Sequence, residues 1–366
     1  MKNYRIASLP GDGIGLEIMP VAHQVLDAAA KKHGFEIQWQ PQKWGSSYYR
    51  ENGRMMPKNA LEILSGTDAI FLGAVGDPEI SDVETLWGML IPIRRAFNQY
   101  INLRPISTLN GVVGPLRNAA PIDLIVVREN VEGEYSEVGG RSYQGEPEET
   151  AYQQSLFSRR GVSRVAEYAM KLCKERTGHL ISATKSNGII HTMTFWDEVV
   201  QEILAGYPEV ALEPVLIDAL AARVVLYPQQ IDVIVASNLF GDIISDLAAA
   251  VVGSVGIAPS GNINPERMHP SMFEPVHGTA PDIAGKGIAN PLGQIWAGAM
   301  MLDHLGEGQA SADIKRAFAA VLEAGIKTGD LGGSASTVQF GDAVTQELEG
   351  TPLPARRESF LSGERA

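Results

Sequence analysis

Two aspartates spaced four residues apart, Asp242 and Asp246, are the clearest chemical signal in the sequence. They come just after a short apolar strand predicted over 232–236 and beside an apolar helix predicted over 243–252. Residues four apart on a helix share one face, so both carboxylates would point the same way. Such a pair suits Mg²⁺ or Mn²⁺, which prefer hard oxygen ligands. The alternative, acids favoured by the dipole at a helix N-terminus, accounts for Asp242 but not for Asp246.

Three arginines stand in otherwise apolar segments: Arg94, Arg104 and Arg128. Arginine binds carboxylates with two parallel hydrogen bonds, so a group of three predicts an anionic substrate. A salt bridge within the fold is the alternative for any one of them.

Polar side chains also follow other predicted strands. Asp218, Lys185 and Tyr135 each come at or soon after the end of one. Ligands of open α/β sheets bind beyond the C-terminal ends of strands, so these residues are candidates for ligand binding or proton transfer. The alternatives are a helix N-cap for Asp218, a solvated lysine and a hydrogen-bonded tyrosine.

A glycine-rich loop at 11–15, Gly-Asp-Gly-Ile-Gly, lies between a predicted strand and a predicted helix. The dinucleotide-binding fingerprint needs its third glycine one residue later, where this chain has Leu16. The loop is therefore either a tight strand-to-helix turn or a backbone contact with a ligand.

Short β-branched segments alternate with longer helical patterns, which predicts an α/β fold. Several strands are apolar on both faces, as expected when helices cover both sides of a sheet. We predict an exposed polar arm near 139–155 and a frayed tail at 351–366. The main strands are predicted at 4–9, 69–72, 123–127, 180–183, 215–217 and 232–236, and the helices at 15–32, 162–175, 195–204, 243–252, 292–305 and 314–324.

The bulk composition narrows the class of protein. A chain of 366 residues is long enough for two domains, and its formal charge of -13 argues against nucleic acid as a partner. The single cysteine, Cys173, excludes an internal disulfide and predicts a packed core thiol. No apolar run is long enough to span a membrane, so we expect a cytoplasmic protein without a membrane partner.

Taken together, these segments closely resemble the β-decarboxylating dehydrogenases, the family of isopropylmalate and isocitrate dehydrogenases. The resemblance covers nearly the whole chain and is carried by residues 11–15, 238–246, 274–285, 289–291 and 332–335. It implies a homodimer of two-domain chains with a large mixed, mostly parallel sheet. The cofactor-binding domain would comprise residues 1–100 and 255–350, and the domain for substrate, metal and dimer interface residues 101–254.

The resemblance also implies a role for each candidate residue. Asp242 and Asp246 would bind the metal, with Asp218 and Lys185 reaching the same site from the partner subunit. The three arginines would bind the carboxylates of a small 2-hydroxy diacid. Lys185 would help to deprotonate its hydroxyl group, and Tyr135 would protonate the enol carbon after CO₂ leaves.

The family's nicotinamide cofactor site maps onto two segments. Asp282 stands where an acid receives the ribose 2′-hydroxyl and would repel a 2′-phosphate, and Ile283 follows it instead of a lysine–tyrosine pair. The resemblance therefore implies NAD rather than NADP. The implied contacts are Ala74, Val75, Gly76, His277, Gly278, Thr279, Ala280, Asp282, Ile283 and Asn290.

Trp87 bears on the choice of substrate. It stands where isopropylmalate enzymes typically have a glutamate, and a bulky indole would fill the space that an isopropyl group needs. The segment 85–95 resembles the branch of the family that acts on tartrate and D-malate. We therefore expect tartrate, D-malate or both as substrates. A 3-isopropylmalate dehydrogenase and a catalytically silent regulatory subunit on the same fold remain as alternatives.

Overall fold

The structure is a computed structural model that describes residues 1–116 and 120–351. In this part of the chain ten strands form one mixed sheet, and two more form a separate antiparallel ribbon. The predicted α/β fold with a large, mostly parallel sheet is confirmed. All but the first residue of the predicted tail at 351–366 lie outside the described residues.

The described strands are β1 (Lys2–Gly11), β2 (Phe35–Pro41), β3 (Ala69–Ala74), β4 (Ile101–Ser107), β5 (Asp123–Glu129), β6 (Gly139–Ser142), β7 (Thr150–Gln153), β8 (His179–Thr184), β9 (Ala211–Leu216), β10 (Val233–Ala236), β11 (Pro259–Ile263) and β12 (Ser271–Pro275). The described helices are α1 (Gly15–His33), α2 (Ser46–Asn52), α3 (Ala60–Ser65), α4 (Asp82–Thr85), α5 (Ile91–Ala96), α6 (Arg159–Lys174), α7 (Thr192–Leu204), α8 (Ile217–Leu226), α9 (Asn238–Val252), α10 (Leu292–His304), α11 (Gly308–Glu323) and α12 (Thr337–Leu348).

The sheet has the strand order β2-β1-β3-β12-β11-β4-β5-β10-β8-β9. Its two ends are parallel, whereas β12, β11, β4 and β5 are joined by antiparallel pairs. Helices from both ends of the chain share one layer, because α1 packs against α10, α11 and α12. That shared layer is compatible with a discontinuous first domain, although one sheet runs through both predicted domains and their boundaries remain a prediction.

The central strands β4, β11 and β12 are absent from the sequence prediction. Buried polar side chains interrupt their apolar pattern, including Asn102, Asn262 and Glu274. A buried strand is recognised from sequence by its apolar run, so polar residues that find partners inside the sheet hide it.

The structure places Asp218 soon after a strand, and it rules out the N-cap alternative. β9 ends at Leu216 and α8 begins at Ile217, so Asp218 lies in the first turn of the helix rather than at the end of a strand. It is not the N-cap either, because Leu216 holds that position. The exposed ribbon of β6 and β7 lies where the arm near 139–155 was expected.

Candidate active site

The helix α9 presents the two acidic residues to the sheet. Ser237 caps its N-terminus by accepting a hydrogen bond from the amide of Phe240. Gly241 then allows a close approach to β5, since a Cβ there would lie 2.6 Å from the Cβ of Arg128. Asp242 and Asp246 follow within the helix, on the side that faces the arginines.

Asp242 is the centre of the site. One oxygen, Oδ1, pairs with Arg128 and lies 3.0 Å from Nη2 of Arg104, while the hydroxyl of Tyr135 donates to Oδ2 at 3.1 Å. Burial opposes the ionisation of Asp242, but Arg128 and Arg104 outweigh it and hold its pKa below the usual value. Asp242 is therefore a carboxylate at neutral pH.

Asp246 lies one helical turn further along α9 and is about half exposed. Its Oδ1 accepts a hydrogen bond of 3.0 Å from Nη1 of Arg104. Burial raises the pKa of Asp246 above its usual value, although Arg104 acts in the opposite direction. The two acids thus share Arg104, and Asp246 is the more open of the two.

Further side-chain hydrogen bonds fix the guanidinium groups of Arg128 and Arg104. Arg128 donates from Nε and Nη2 to the side-chain oxygen of Asn238, at 3.2 and 2.6 Å. Arg104 donates from Nε to the side-chain oxygen of Asn102 at 2.8 Å and from Nη1 to the hydroxyl of Ser245 at 2.7 Å. Such fixed forks are suited to the recognition of a carboxylate.

A buried hydrogen-bond chain connects Arg104 with Arg94. The side-chain amide of Asn102 donates to the side-chain oxygen of Asn262 at 2.9 Å. The side-chain amide of Asn262 donates in turn to the carboxylate of Glu274 at 2.7 Å. Nη2 of Arg94 lies 3.0 Å from the same oxygen of Glu274. The chain crosses β4, β11 and β12, so the central strands that the sequence hides link the predicted substrate arginines.

Tyr135 lies in the loop after β5, beside Arg128 and Asp242. Its ring is 5.7 Å from the guanidinium carbon of Arg128, and its main-chain oxygen accepts a hydrogen bond of 2.9 Å from Arg95. Burial and the charge of Asp242 raise the pKa of Tyr135 above its usual value. The phenol therefore keeps its proton at neutral pH.

Lys185 and Asp218 form a pair of their own, with 2.6 Å between Nζ and Oδ1. No described hydrogen bond or ion pair connects them with Asp242 or Asp246. Among residues 1–116 and 120–351, no group of three or more acidic, histidine or cysteine side chains is arranged to hold a metal ion. The structure therefore brings together Asp242, Asp246, Tyr135 and the arginines, but not Lys185 and Asp218.

The glycine loop is fixed by close backbone contacts. The amide of Ile14 donates to the carbonyl of Thr279 at 3.0 Å, and a Cβ on Gly13 would lie 2.2 Å from that oxygen. Asp12 accepts hydrogen bonds from the amides of Ser46 and Gly76 at 2.8 and 3.0 Å. The tight-turn interpretation is therefore correct for the glycines. The loop also lines a cleft, where its backbone is open to a ligand.

This cleft has a volume of about 600 Å³ and brings together parts of both predicted cofactor segments. Gly76 and Thr279 lie on its walls, with the glycine loop between them. Glu17 of α1 holds the second segment by accepting a hydrogen bond of 2.7 Å from the amide of Gly287. Nε2 of His277, in the second segment, is buried and has no hydrogen-bond partner among the described residues.

Of the predicted cofactor residues, Gly76 and Thr279 line this cleft, and the others lie elsewhere in the same two segments. Ala74 ends β3 and Val75 follows it, while Asn290 donates to Asp330 at 3.0 Å. Gly278, Ala280, Asp282 and Ile283 belong to the irregular segment between β12 and α10.

Trp87 lies in a single π-helical turn, Leu86–Leu90, between α4 and α5. Its ring is half-buried, and the guanidinium carbon of Arg95 lies 5.1 Å from the ring centroid. Turns of this kind are frequent at functional sites, because the extra residue redirects the side chains around it. Sequence periodicity alone did not indicate this turn.

Several residues of the site escaped the sequence analysis. Asn102, Asn262, Glu274 and Asn238 are buried, and each contacts a predicted substrate arginine or links two of them. Asn238 could have been found, because it follows the strand predicted at 232–236. Asn102, Asn262 and Glu274 lie in strands that their own polarity hides.

The comparison with known proteins identifies the class of molecule. The family described as isocitrate/isopropylmalate dehydrogenase matches residues 5–344. The chain belongs to this family and is therefore a dehydrogenase, as its motifs predicted. No helix among the described residues is both long and apolar enough to cross a membrane.

Individual relatives within this family are similar to the chain over nearly its whole length. The chain is 51% identical over 354 residues to a protein of Escherichia coli (strain K12) named D-malate dehydrogenase [decarboxylating], which covers 94% of this chain and 98% of that protein. It is 48% identical over 357 residues to the tartrate dehydrogenase/decarboxylase of Pseudomonas putida, with the same coverage. The crystal structure of isocitrate dehydrogenase from Methylococcus capsulatus superposes with a TM-score of 0.87 at 33% identity, covering 94% of this chain and 99% of that one.

Proposed function

We propose that this protein is an NAD- and divalent-metal-dependent dehydrogenase that oxidises tartrate, D-malate or both, with β-decarboxylation of suitable isomers. The observation that carries the proposal is the cluster of Arg94, Arg104, Arg128 and Tyr135 around Asp242. Relatives at about half identity that are named for these two diacids support the choice of substrates.

The arginines suit the recognition of a diacid. Arg104 and Arg128 are buried guanidinium groups that share Asp242, and Arg94 is linked to Arg104 through Asn102, Asn262 and Glu274. We infer that substrate carboxylates take over guanidinium donors that Asp242 occupies here. A bidentate arginine–carboxylate pair fixes both the position and the orientation of the acid.

Asp242 and Asp246 fit a divalent cation in their chemistry, because both offer carboxylate oxygens from one helix face and Asp246 is open to solvent. Asp218 would complete the set from a partner subunit. When bound, the cation polarises the hydroxyl and carbonyl oxygens of the substrate, and NAD⁺ accepts the hydride.

The protein's own residues manage the protons. Lys185 is assigned to remove the proton of the 2-hydroxyl group, and Tyr135 to deliver one to C3. With D-malate, C2 loses a hydride, the bond from C3 to the β-carboxylate breaks with loss of CO₂, and C3 gains a proton, which gives pyruvate. The protonated phenol of Tyr135 at the edge of the arginine cluster supports its role as donor.

The cleft beside the glycine loop is large enough for part of a dinucleotide. The unpartnered Nε2 of His277 supports the assignment of the segment 277–290 as the adenosine end of the site. Asp282, which is exposed, supports NAD over NADP because it would repel a 2′-phosphate.

A homodimer is part of the proposal. Several exposed apolar side chains lie close in sequence to Lys185, Asp218 and Asp242, and a partner subunit would bury them. They are Ile189, Ile190, Leu226, Tyr227 and Ile243. Cytoplasmic location completes the assignment.

A substrate panel tests the proposal. NADH formation at 340 nm is measured with Mn²⁺ and D-malate, each tartrate isomer, 3-isopropylmalate or isocitrate. We expect turnover of D-malate or a tartrate isomer, loss of activity with a chelator, and a higher kcat/KM for NAD⁺ than for NADP⁺. Turnover of 3-isopropylmalate alone would refute the inference that the indole of Trp87 excludes an isopropyl group. No turnover of any of these acids would refute the proposed function.

A further inference from the structure

Arg95 contacts two different parts of the candidate site, and nothing in the proposed function uses it. It follows the buried Arg94 on α5 but points elsewhere, with about a third of its side chain exposed. Its guanidinium group stacks over Trp87, donates to the main-chain oxygen of Tyr135 at 2.9 Å, and lies 3.2 Å from the carboxylate of Glu137.

The π-helical turn makes the first of these contacts possible. In a regular α-helix, residues seven apart return to nearly the same side, since each turn takes 3.6 residues. The amide of Ile91 bonds instead to the carbonyl of Leu86, five residues back, which adds one residue to that turn. Residues eight apart then align, and this brings Arg95 beneath Trp87.

The second contact fixes the loop that carries Tyr135. This loop, 130–138, lies between β5 and the exposed ribbon. Backbone hydrogen bonds join its Gly133 to Leu156 and its Val138 to Gln154. Glu134 secures it to the start of α9 through Ser237 and the amide of Leu239, at 2.7 and 3.0 Å. Arg95 adds a charge-assisted hydrogen bond at Tyr135 itself, on the side of the loop that faces α5.

We propose that Arg95 is a positioning residue that holds the main chain of Tyr135 and the ring of Trp87 as one unit. The inference rests on the proposed function, since Trp87 is there assigned to substrate choice and Tyr135 to proton delivery. A displacement of about 1 Å in a reacting group is enough to slow a step by a large factor. Loss of Arg95 therefore slows the steps at C3, which are the loss of CO₂ and the protonation that follows it, more than it slows the oxidation of C2.

The first test measures how the products divide. With D-malate as substrate, oxaloacetate and pyruvate are trapped as phenylhydrazones and compared with the NADH formed. We expect Arg95→Met to raise the share of oxaloacetate severalfold and to lower kcat about tenfold, with KM for NAD⁺ unchanged. Arg95→Lys keeps the charge but not the fork, and should recover part of the native product ratio.

Arg159 offers a matched control. It also stacks over an aromatic ring, Phe195 at 5.3 Å, and pairs with the carboxylates of Glu198 and Glu202, but it lies at the start of α6. Arg159→Met removes a ring contact and carboxylate pairs like those of Arg95 but no contact with the Tyr135 loop, so the product ratio should stay at the native value. An equal ratio in Arg95→Met and Arg159→Met overturns the proposal while the native enzyme remains active.

The second test does not depend on turnover. Subtracting the fluorescence of a Trp87→Phe protein from that of the native protein isolates the emission of Trp87, and the same subtraction is made in the Arg95→Met background. We expect acrylamide to quench this component about twofold more strongly without the arginine that covers the ring. Unchanged quenching would contradict the proposal that Arg95 holds and covers the ring of Trp87. A native enzyme that turns over no diacid refutes the proposed function and with it the role of Arg95.

Discussion

The carboxylate of Asp242 serves three donors at once: Arg104, Arg128 and the hydroxyl of Tyr135. Each donor is a group that the proposed reaction needs for another purpose, either to bind a substrate carboxylate or to deliver a proton. Burial of two guanidinium groups without an anion would be costly, so Asp242 balances their charge until a diacid arrives. The same oxygens are then available to a divalent cation.

Replacing Tyr135 with phenylalanine separates catalysis from stability. The variant loses the proposed donor to C3, and removal of a general acid slows the reaction by about 10²- to 10⁴-fold. Asp242 keeps both arginines, so the free energy of unfolding should fall by only about 1 kcal/mol. Steady-state NADH formation with D-malate and urea denaturation measure the two effects. A kcat within threefold of the native value would remove Tyr135 from the mechanism.

His23, which lies outside the candidate site, should make the stability of the protein depend on pH. Its ring stacks on Trp39 at 3.8 Å, and burial lowers its pKa from 6.5 to about 4. Between these values the unfolded chain binds a proton that the folded chain does not, so stability falls as the pH falls from 6.5 towards 4. His23→Phe keeps a stacked ring without the titration. Between pH 7.5 and 5 the native protein should lose about 2 kcal/mol more unfolding free energy than this variant, measured by urea denaturation. Equal losses in the two proteins would assign the pH dependence to other groups.

Among the secondary-structure elements, the contact of α9 with β5 sets the geometry of the site. Gly241 lies against the side chain of Arg128. A Cβ added to Gly241 would be 2.6 Å from the Cβ of Arg128 and 2.7 Å from its Cγ. The helix that carries both acids can therefore approach the strand that carries the arginine. No side chain larger than hydrogen fits between them.

A Gly241→Ala protein tests this contact. The added methyl group must push α9 away from β5, and overpacking of this kind costs about 1–3 kcal/mol of unfolding free energy. Because Asp242 and Asp246 move with the helix, KM for the diacid should rise as well. Gly329→Ala is the control, since a Cβ there would meet no atom within 4 Å. An unfolding free energy at or above the native value would mean that the helix does not depend on this close approach.

The elements also explain what the sequence could and could not predict. Asp242 and Asp246 could be assigned to one helix face because the apolar periodicity continues around them. Lengths and ends were less certain, and α9 begins at Asn238 rather than at 243. The strands β4, β11 and β12 could not be found, because partners for their buried polar residues come from strands distant in the chain. Family motifs supplied roles that spacing alone left open.

At the level of the whole molecule, one sheet connects the arginine cluster to the cofactor cleft. β4 and β5 carry Arg104 and Arg128, while β1 and β3 lead into the loop and segment beside the cleft. Lys185 and Asp218 lie on the other parallel block, after β8 and β9, and pair with each other within one chain. Under the proposed function they complete the site of a second subunit.

Subunit mixing tests this exchange. Lys185→Met and Asp242→Asn should each be nearly inactive, but a heterodimer of the two contains one site with both native residues if Lys185 acts across the interface. Co-expression with two different tags isolates that heterodimer, and its activity should be about half that of the native dimer. A heterodimer of Asp242→Asn with Tyr135→Phe is the control, because both residues belong to the same chain's site and no native site can form. Activity no higher in the first heterodimer than in the second would place Lys185 and Asp242 in the same subunit's site, and a monomer in sedimentation would rule out the shared site altogether.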